Sequence, residues 1–309
     1  MKKFCFALLL LCATAGYAMP IASSARSMVP SEIQQLIGVD YRALKDSPTA
    51  QALRQQVLPD NLKELETALK GIGIDADHDL DQLTFASFRT EKKGIQTIGV
   101  AAGSFSAKAV LKKMKLKKIT AVKYGTTSIY PMDNDLVMTF LDDNTLAFGT
   151  SASLHSALDT RDGKRPSMDS NPVMTDQMSA VDGASLWSIL DQQGTQAMMF
   201  SVMGDAAKVA DYDSIKKRSL ASRYTMNFAN GVNFDLSVLT ADSMTAATLS
   251  TVVKGVMLYK KMNASPIEKT AIESTTVDSD SSNLQVHFKC DDQKFQSLLH
   301  APLFAAVSH

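Results

Sequence analysis

The stretch SRYTMNFANGVNFDLSVLTA, residues 222–241, decides the fold. SRYTMNFA and VNFDLSVLTA are short runs rich in aromatic and β-branched residues, and they flank Asn230-Gly231. Asn-Gly tolerates the positive φ angles of a tight two-residue turn, so the two runs read as an antiparallel hairpin. Working outward, Asp242 and Ser243 open a long helix, MTAATLSTVVKGVMLYKKM, in which Leu249, Val252, Val253, Val256 and Met257 face one way. Pro266 follows its end. TAIESTTVDSD and NLQVHFKC then form a second hairpin around Ser281-Ser282-Asn283, and DDQKFQSLL reads as a last short helix.

Earlier in the chain the same order of elements appears. LTFASFRT and GIQTIGVAAGSF read as partner strands joined by EKKG at 91–94, and SAKAVLKKMK switches to helical period. The strand-like runs ITAVKYG, TSIYPM, LVMTFL and TLAFG follow, and then SASLHSALDT as a short helix. The shared order over residues 83–160 and 222–299 predicts an α+β protein of two structurally related modules, with antiparallel sheets and helices packed on one face of each. RDGKRPSMDSNP, residues 161–172, marks the division, giving modules at 31–165 and 166–309. Residues 19–30, MPIASSARSMVP, read as a flexible lead-in.

The first eighteen residues read as a signal peptide. Lys2 and Lys3 precede an apolar run from Phe4 to Ala15, and Gly16-Tyr17-Ala18 supplies a small-x-small cleavage pattern. The expectation is export, to the periplasm or beyond the cell, after cleavage near Ala18. Leu11 before Cys12 departs from a lipid-attachment signal. Loss of the leader removes Cys5 and Cys12 and leaves Cys290 without an intrachain disulfide partner. No later apolar run approaches spanning length, so no transmembrane segment is expected in the mature chain. Acidic and basic residues balance at 32 each, which argues against a nucleic-acid binder.

Two charged stretches are candidate sites. DADHDLDQ, residues 75–82, places Asp75, Asp77, Asp79 and Asp81 at alternate positions around His78, a spacing with some likeness to a calcium loop. Counted from Asp75, however, Leu80 and Ala86 stand where such a loop needs glycine and glutamate. The other reading is a loop in which aspartates bind local backbone. KKMKLKK supplies Lys112, Lys113, Lys115, Lys117 and Lys118, either a surface for anionic groups or the wet side of a helix whose Val110, Leu111 and Met114 face the core. Ser214-Ile215-Lys216-Lys217 matches S-x-x-K and Ser281-Ser282-Asn283 resembles the companion motif, but no K-T-G follows. His78, His155, His287, His300 and His309 are scattered, and on a strand the odd separation of His287 and Cys290 sends them to opposite faces. No catalytic residue and no cofactor is assigned.

Residues 142–191 carry a resemblance. A strand ending in Gly149, a serine-capped helix, a polar linker, an SMDSNP helix start and a final strand resemble uncharacterised secreted bacterial proteins with domains of unknown function. The resemblance implies export and an α+β fold, and no mechanism. The expected role is non-catalytic, as a binding or scaffolding protein of the cell envelope that meets an unknown protein or envelope partner. The alternative is a carrier of an apolar ligand such as a lipid, with Met198, Met199 and Met203 among sixteen methionines lining an adaptable pocket. A hydrolase assembled from distant residues is the third reading.

Overall fold

The structure is a computed structural model that describes residues 21, 23–57, 60–90, 94–132, 135–203 and 212–299. Residues 1–18, the expected signal peptide, therefore lie outside the described residues. In chain order the elements are α1 (Ser23–Arg26), β1 (Ile33–Asp40), α2 (Tyr41–Lys45), α3 (Pro48–Val57), α4 (Asp60–Ile72), α5 (Ala76–Asp79), β2 (Leu80–Thr90), β3 (Gly94–Gly103) and α6 (Ala107–Leu116). Then come β4 (Val122–Tyr124), β5 (Thr127–Pro131), β6 (Leu136–Phe140), β7 (Thr145–Thr150), α7 (Ser151–Arg161), a 3₁₀ turn (Met168–Ser170), α8 (Pro172–Ser179), β8 (Leu186–Leu190) and α9 (Gln192–Met203). The chain finishes with α10 (Tyr212–Arg218), β9 (Ser219–Asn227), β10 (Val232–Thr240), α11 (Ser243–Asn263), α12 (Pro266–Glu273), β11 (Thr275–Asp280), β12 (Asn283–Cys290) and α13 (Asp292–Leu299).

The strands form a single antiparallel sheet in the order β11-β12-β10-β9-β8-β1-β2-β3-β7-β6-β5-β4. The hairpin of residues 222–241 is β9 and β10, turning at Asn230 and Gly231 with φ 59° and 93°. Outward from β1 the strands run β2, β3, β7, β6; outward from β8 they run β9, β10, β12, β11. These two sets are connected in the same order along the chain. Because β1 and β8 pair antiparallel, a half-turn about an axis normal to the sheet relates them. One register row, Met138–Phe148–Gly99–Phe85–Ile37–Ser188–Tyr224–Leu236–Val286–Val277, crosses the joint and reads the same in both directions by strand position.

Side chains alternate between the faces of this sheet. On one face Leu36, Ala86, Ile98 and Trp187 pack with α1, α7 and α8. On the other, Leu83, Ala101 and Leu146 meet α4 and α6. Helices thus cover both faces of the first half, more than the sequence predicts. In the second half α9, α10 and α11 share the face of α4 and α6 through Met199, Ile215 and Leu249. The opposite side there carries the polar row Thr225, Asp235, His287 and Thr276.

The lead-in expectation is corrected. Ile21, Ala25, Met28 and Val29 are buried in the first core, and Pro30 bridges to Ser167. Ile21 and Met28, among the largest fully buried side chains, anchor a segment whose serines and flanking prolines read as loop. The central strand β1 has a register irregularity between Ile33 and Gln35. That bulge breaks the two-residue alternation by which strands are recognised.

Candidate ligand-binding site

The N-terminal half of α11 is anchored. The Asp242 side chain accepts from the Thr245 amide at 2.8 Å and from its hydroxyl at 2.9 Å, and Thr245, Ala246, Leu249 and Ser250 are buried. Past Ser250 no residue of α11 is buried, although Val252, Val253, Val256 and Met257 continue the apolar stripe. Val252, Val253 and Met257 are partly buried against the cluster of Leu249, Val277 and Leu284, and a space stays open beside them.

That space is a cavity of about 330 Å³. Its floor is Phe234, Leu236 and Val238 of β10 with Leu284 and Val286 of β12. Val253, Val256 and Met257 form the roof, Met198 and Met199 of α9 close one side, and Ala271 and Ile272 of α12 stand on another. Among the described residues, every lining side chain apart from Thr275 and Lys260 is apolar. The volume falls in the usual range for small-molecule sites, about 300–1,000 Å³.

Local chemistry holds the roof in place. Pro266 starts α12, and Ser265 and Glu268 form a reciprocal capping box, the Glu268 carboxylate accepting from the Ser265 amide at 2.8 Å. Lys261 Nζ lies 2.8 Å from Glu273, tying α11 to α12, and its hydrogen bond holds the Glu273 carboxyl below its ordinary value. No side chain of α12 is buried, so this helix rests on caps and ion pairs more than on core contacts. Lys260, one turn past Val256 and Met257, is the exposed end of this lining.

The residues singled out from sequence sit elsewhere. Asp75 caps α5 and accepts from the Asp77 amide at 3.0 Å, and Asp79 Oδ2 accepts from the Asp75 amide at 2.8 Å. Asp81 pairs with Arg42 at 2.9 Å. Among the described residues, no group of three or more His, Cys, Asp or Glu side chains is gathered to hold a metal. Of the lysines, Lys113 Nζ donates to the Gly73 carbonyl at 3.1 Å and Lys117 Nζ to that of Gly71 at 2.5 Å. Both meet the C-terminal end of α4, where positive charge is favoured. Lys112, Lys115 and Lys118 are exposed. The Ser214 and Met203 side chains, His300 and His309 lie outside the described residues.

Two side-chain clusters resemble chemistry without forming it. Tyr124 stacks on His155 at 3.9 Å, and its hydroxyl donates to Asp159, which also accepts from Lys164 at 2.7 Å. Burial and then the Asp159 hydrogen bond push the Tyr124 hydroxyl above its ordinary value, which opposes nucleophilic use. His287 Nδ1 lies 2.5 Å from Asp235 on the open face. Cys290 is on the opposite face, buried with Phe228, Val232 and Phe295.

Burial, and then nearby Asp291, push the Cys290 thiol up from 9.0 to about 11. A raised folded-state value contributes stability that is intact below the unfolded value and is lost as pH rises through the folded one. Between pH 9 and 11 the melting temperature of the wild type should therefore fall more steeply than that of Cys290→Ala. Parallel curves across that window would show that the thiolate is as well solvated in the folded chain as in the unfolded one.

No family profile matches the chain, and no curated protein matches it in sequence. Among solved structures it is similar to TP0453. In crystal form I of that protein the TM-score is 0.50 at 8% identity, covering 91% of this chain and 100% of that one. In crystal form III the TM-score is 0.51 at 10% identity, covering 89% and 97%. The likeness shows a shared α+β fold over nearly the whole length.

Proposed function

We propose that the protein binds and carries a ligand with an apolar body and an anionic end, of the kind a long-chain fatty acid presents. The observation that carries this reading is the cavity under α11, with its apolar walls and Lys260 as the one ionisable side chain among the described residues of its lining. Its unfilled interior offers dispersion contacts that a buried alkyl chain would complete. The ammonium of Lys260 at the rim offers a counter-charge to a carboxylate left near water. Met198 and Met199, unbranched and polarizable, suit a wall that adapts to chains of different shape. The leader-like residues 1–18 support an exported setting for this carrier. The role is non-catalytic, a transfer or storage of the ligand with no bond made or broken.

Val253→Trp should fill the cavity from the roof. Displacing only two methylenes of a bound chain forfeits about 1.6 kcal/mol, on the order of tenfold in affinity. Titration calorimetry with oleate is expected to show saturable binding to the wild type and at least tenfold weaker binding to Val253→Trp. Lys260→Glu should weaken oleate a few-fold, the scale of about 1 kcal/mol or less for an exposed pair, and leave oleyl alcohol unchanged. Oleate binding that is absent from the wild type, or equal in Val253→Trp, would remove the proposal.

A further inference from the structure

We infer that the first half of the sheet holds a second ligand site, the rotational counterpart of the cavity under α11, and that it takes an apolar chain ending in a neutral hydrogen-bonding group. The inference extends the carrier reading from one repeat to the other.

A groove of about 500 Å³ opens over β2, β3, β7 and β6. Under the half-turn between β1 and β8, these strands occupy the places of β9, β10, β12 and β11. With the half-turn taken about the Ile37–Ser188 pair, strand positions correspond across the joint. Gly99 and Phe148 of the groove stand where Leu236 and Val286 stand in the cavity, because all four share one register row. In the rows beside it, Thr97 and Leu136 fall at the positions of Phe234 and Thr275. One wall corresponds too: Leu65, from the helices that link the first two strands of one repeat, matches Met198 and Met199, from the helices that link the first two of the other, whereas α11 has no counterpart among the described lining residues of the groove.

The floor is built to be aromatic. A Cβ on Gly99 would lie 2.1–2.6 Å from the Phe148 ring, so glycine there lets that ring lie across the sheet. Phe85 meets it edge-on, with ring centroids 6.0 Å apart and planes at 90°. Ile95 at the rim is 55% exposed, an apolar side chain beyond the part of this face that α4 and α6 cover.

What differs is the polar end. Among the described residues, no ionisable side chain lines the groove. In place of Lys260 there is a pair of hydroxyls, Ser87 and Thr97, with oxygens 2.9 Å apart. One of the two donates to the other, which leaves one proton and several lone pairs for a ligand. Such a pair suits an alcohol or an ester and gives no counter-charge to a carboxylate, whose desolvation would go uncompensated. The two sites then divide by head group, anionic under α11 and neutral over β3.

Native mass spectrometry of the full chain tests this with two probes, oleate and monooleoylglycerol. Monooleoylglycerol should still bind Val253→Trp, in which the first cavity is filled. It should bind Thr97→Trp at least tenfold more weakly, since this exposed strand position accepts an aromatic side chain and the indole would occupy the groove. Ser87→Val with Thr97→Val should weaken monooleoylglycerol several-fold and leave oleate binding to the wild-type cavity unchanged. Loss of monooleoylglycerol in Val253→Trp, or full binding by Thr97→Trp, would overturn the second site. Oleate failing on the wild type while monooleoylglycerol responds to Thr97→Trp would sink the first site and leave the second standing.

Discussion

Replacing Trp187 with alanine is expected to destabilise the protein by about 3–5 kcal/mol, the range for truncating a buried large aromatic. Trp187 is 3% exposed and lies on β8 directly opposite Gly38 of β1, at the joint between the two repeats. The fit is tight: a Cβ on Gly38 would come within 2.1–2.4 Å of the indole, so the ring covers the bare backbone of the neighbouring strand. The indole shares the first core with Ile189, Leu36 and the α8 methionines, so its loss opens a hole within a packed cluster. Thermal melts followed by circular dichroism should show a fall on the order of 10 °C. Gly38→Val should do comparable damage from the other side, by overpacking. A loss below about 1 kcal/mol in Trp187→Ala would mean the halves are held together by backbone pairing alone.

The halves were legible in sequence because their signals are local. Asn230-Gly231 supplies two consecutive positive φ angles, and the second hairpin turns at Ser281 with φ 53° between Asp280 and Asn283. The apolar stripe from Leu249 to Met257 and the proline after it mark α11 and its end within a few residues. Element order then points to the duplication, which the matching strand orders display. What sequence does not carry is non-local. β1 sits at the centre of the sheet, yet its bulge hides the alternation. That both faces of the first half are covered depends on where α1, α7 and α8 pack, and no period within the strands records it.

The cavity was half legible, for a similar reason. Met198 and Met199 stand out as candidate lining, but Val253, Val256 and Leu236 spell a filled core as readily as an empty one. Only their partial exposure in three dimensions tells the two apart. The groove over β3 left no trace, since its decisive residue is a glycine whose meaning depends on Phe148 across the strand pair. The acidic stretch shows the converse. Its spacing draws the eye to metal chemistry, while the carboxylates of Asp75 and Asp79 accept from local amides and that of Asp81 meets Arg42.

That stretch has a steric consequence larger than any of its charges. Gly103→Ala is expected to cost about 3 kcal/mol or more, at or beyond the usual range for overpacking. A Cβ on Gly103 would sit 1.9 Å from the Asp79 carbonyl oxygen and 2.9 Å from the Leu80 Cα, both backbone atoms that no rotamer change can move. Asp79 is fixed from several sides. Its amide donates to the Asp75 carbonyl at 2.7 Å, its carbonyl accepts from Ser104 at 2.8 Å, and its carboxylate accepts from the Asp75 amide. Gly103 is equally held, donating to the Asn144 carbonyl at 3.0 Å and pairing with Leu80 across the strands. To admit one methyl, the chain must break the crossing of α5 over the end of β3 or open the β2–β3 ladder. Asp77→Asn, on the exposed side of the same loop, should change stability by about 0.5 kcal/mol or less. Urea denaturation of the two variants separates the roles: a large loss confined to Gly103→Ala makes the acidic turn a close-packed corner of the sheet, and comparable losses in both would return its weight to the carboxylates.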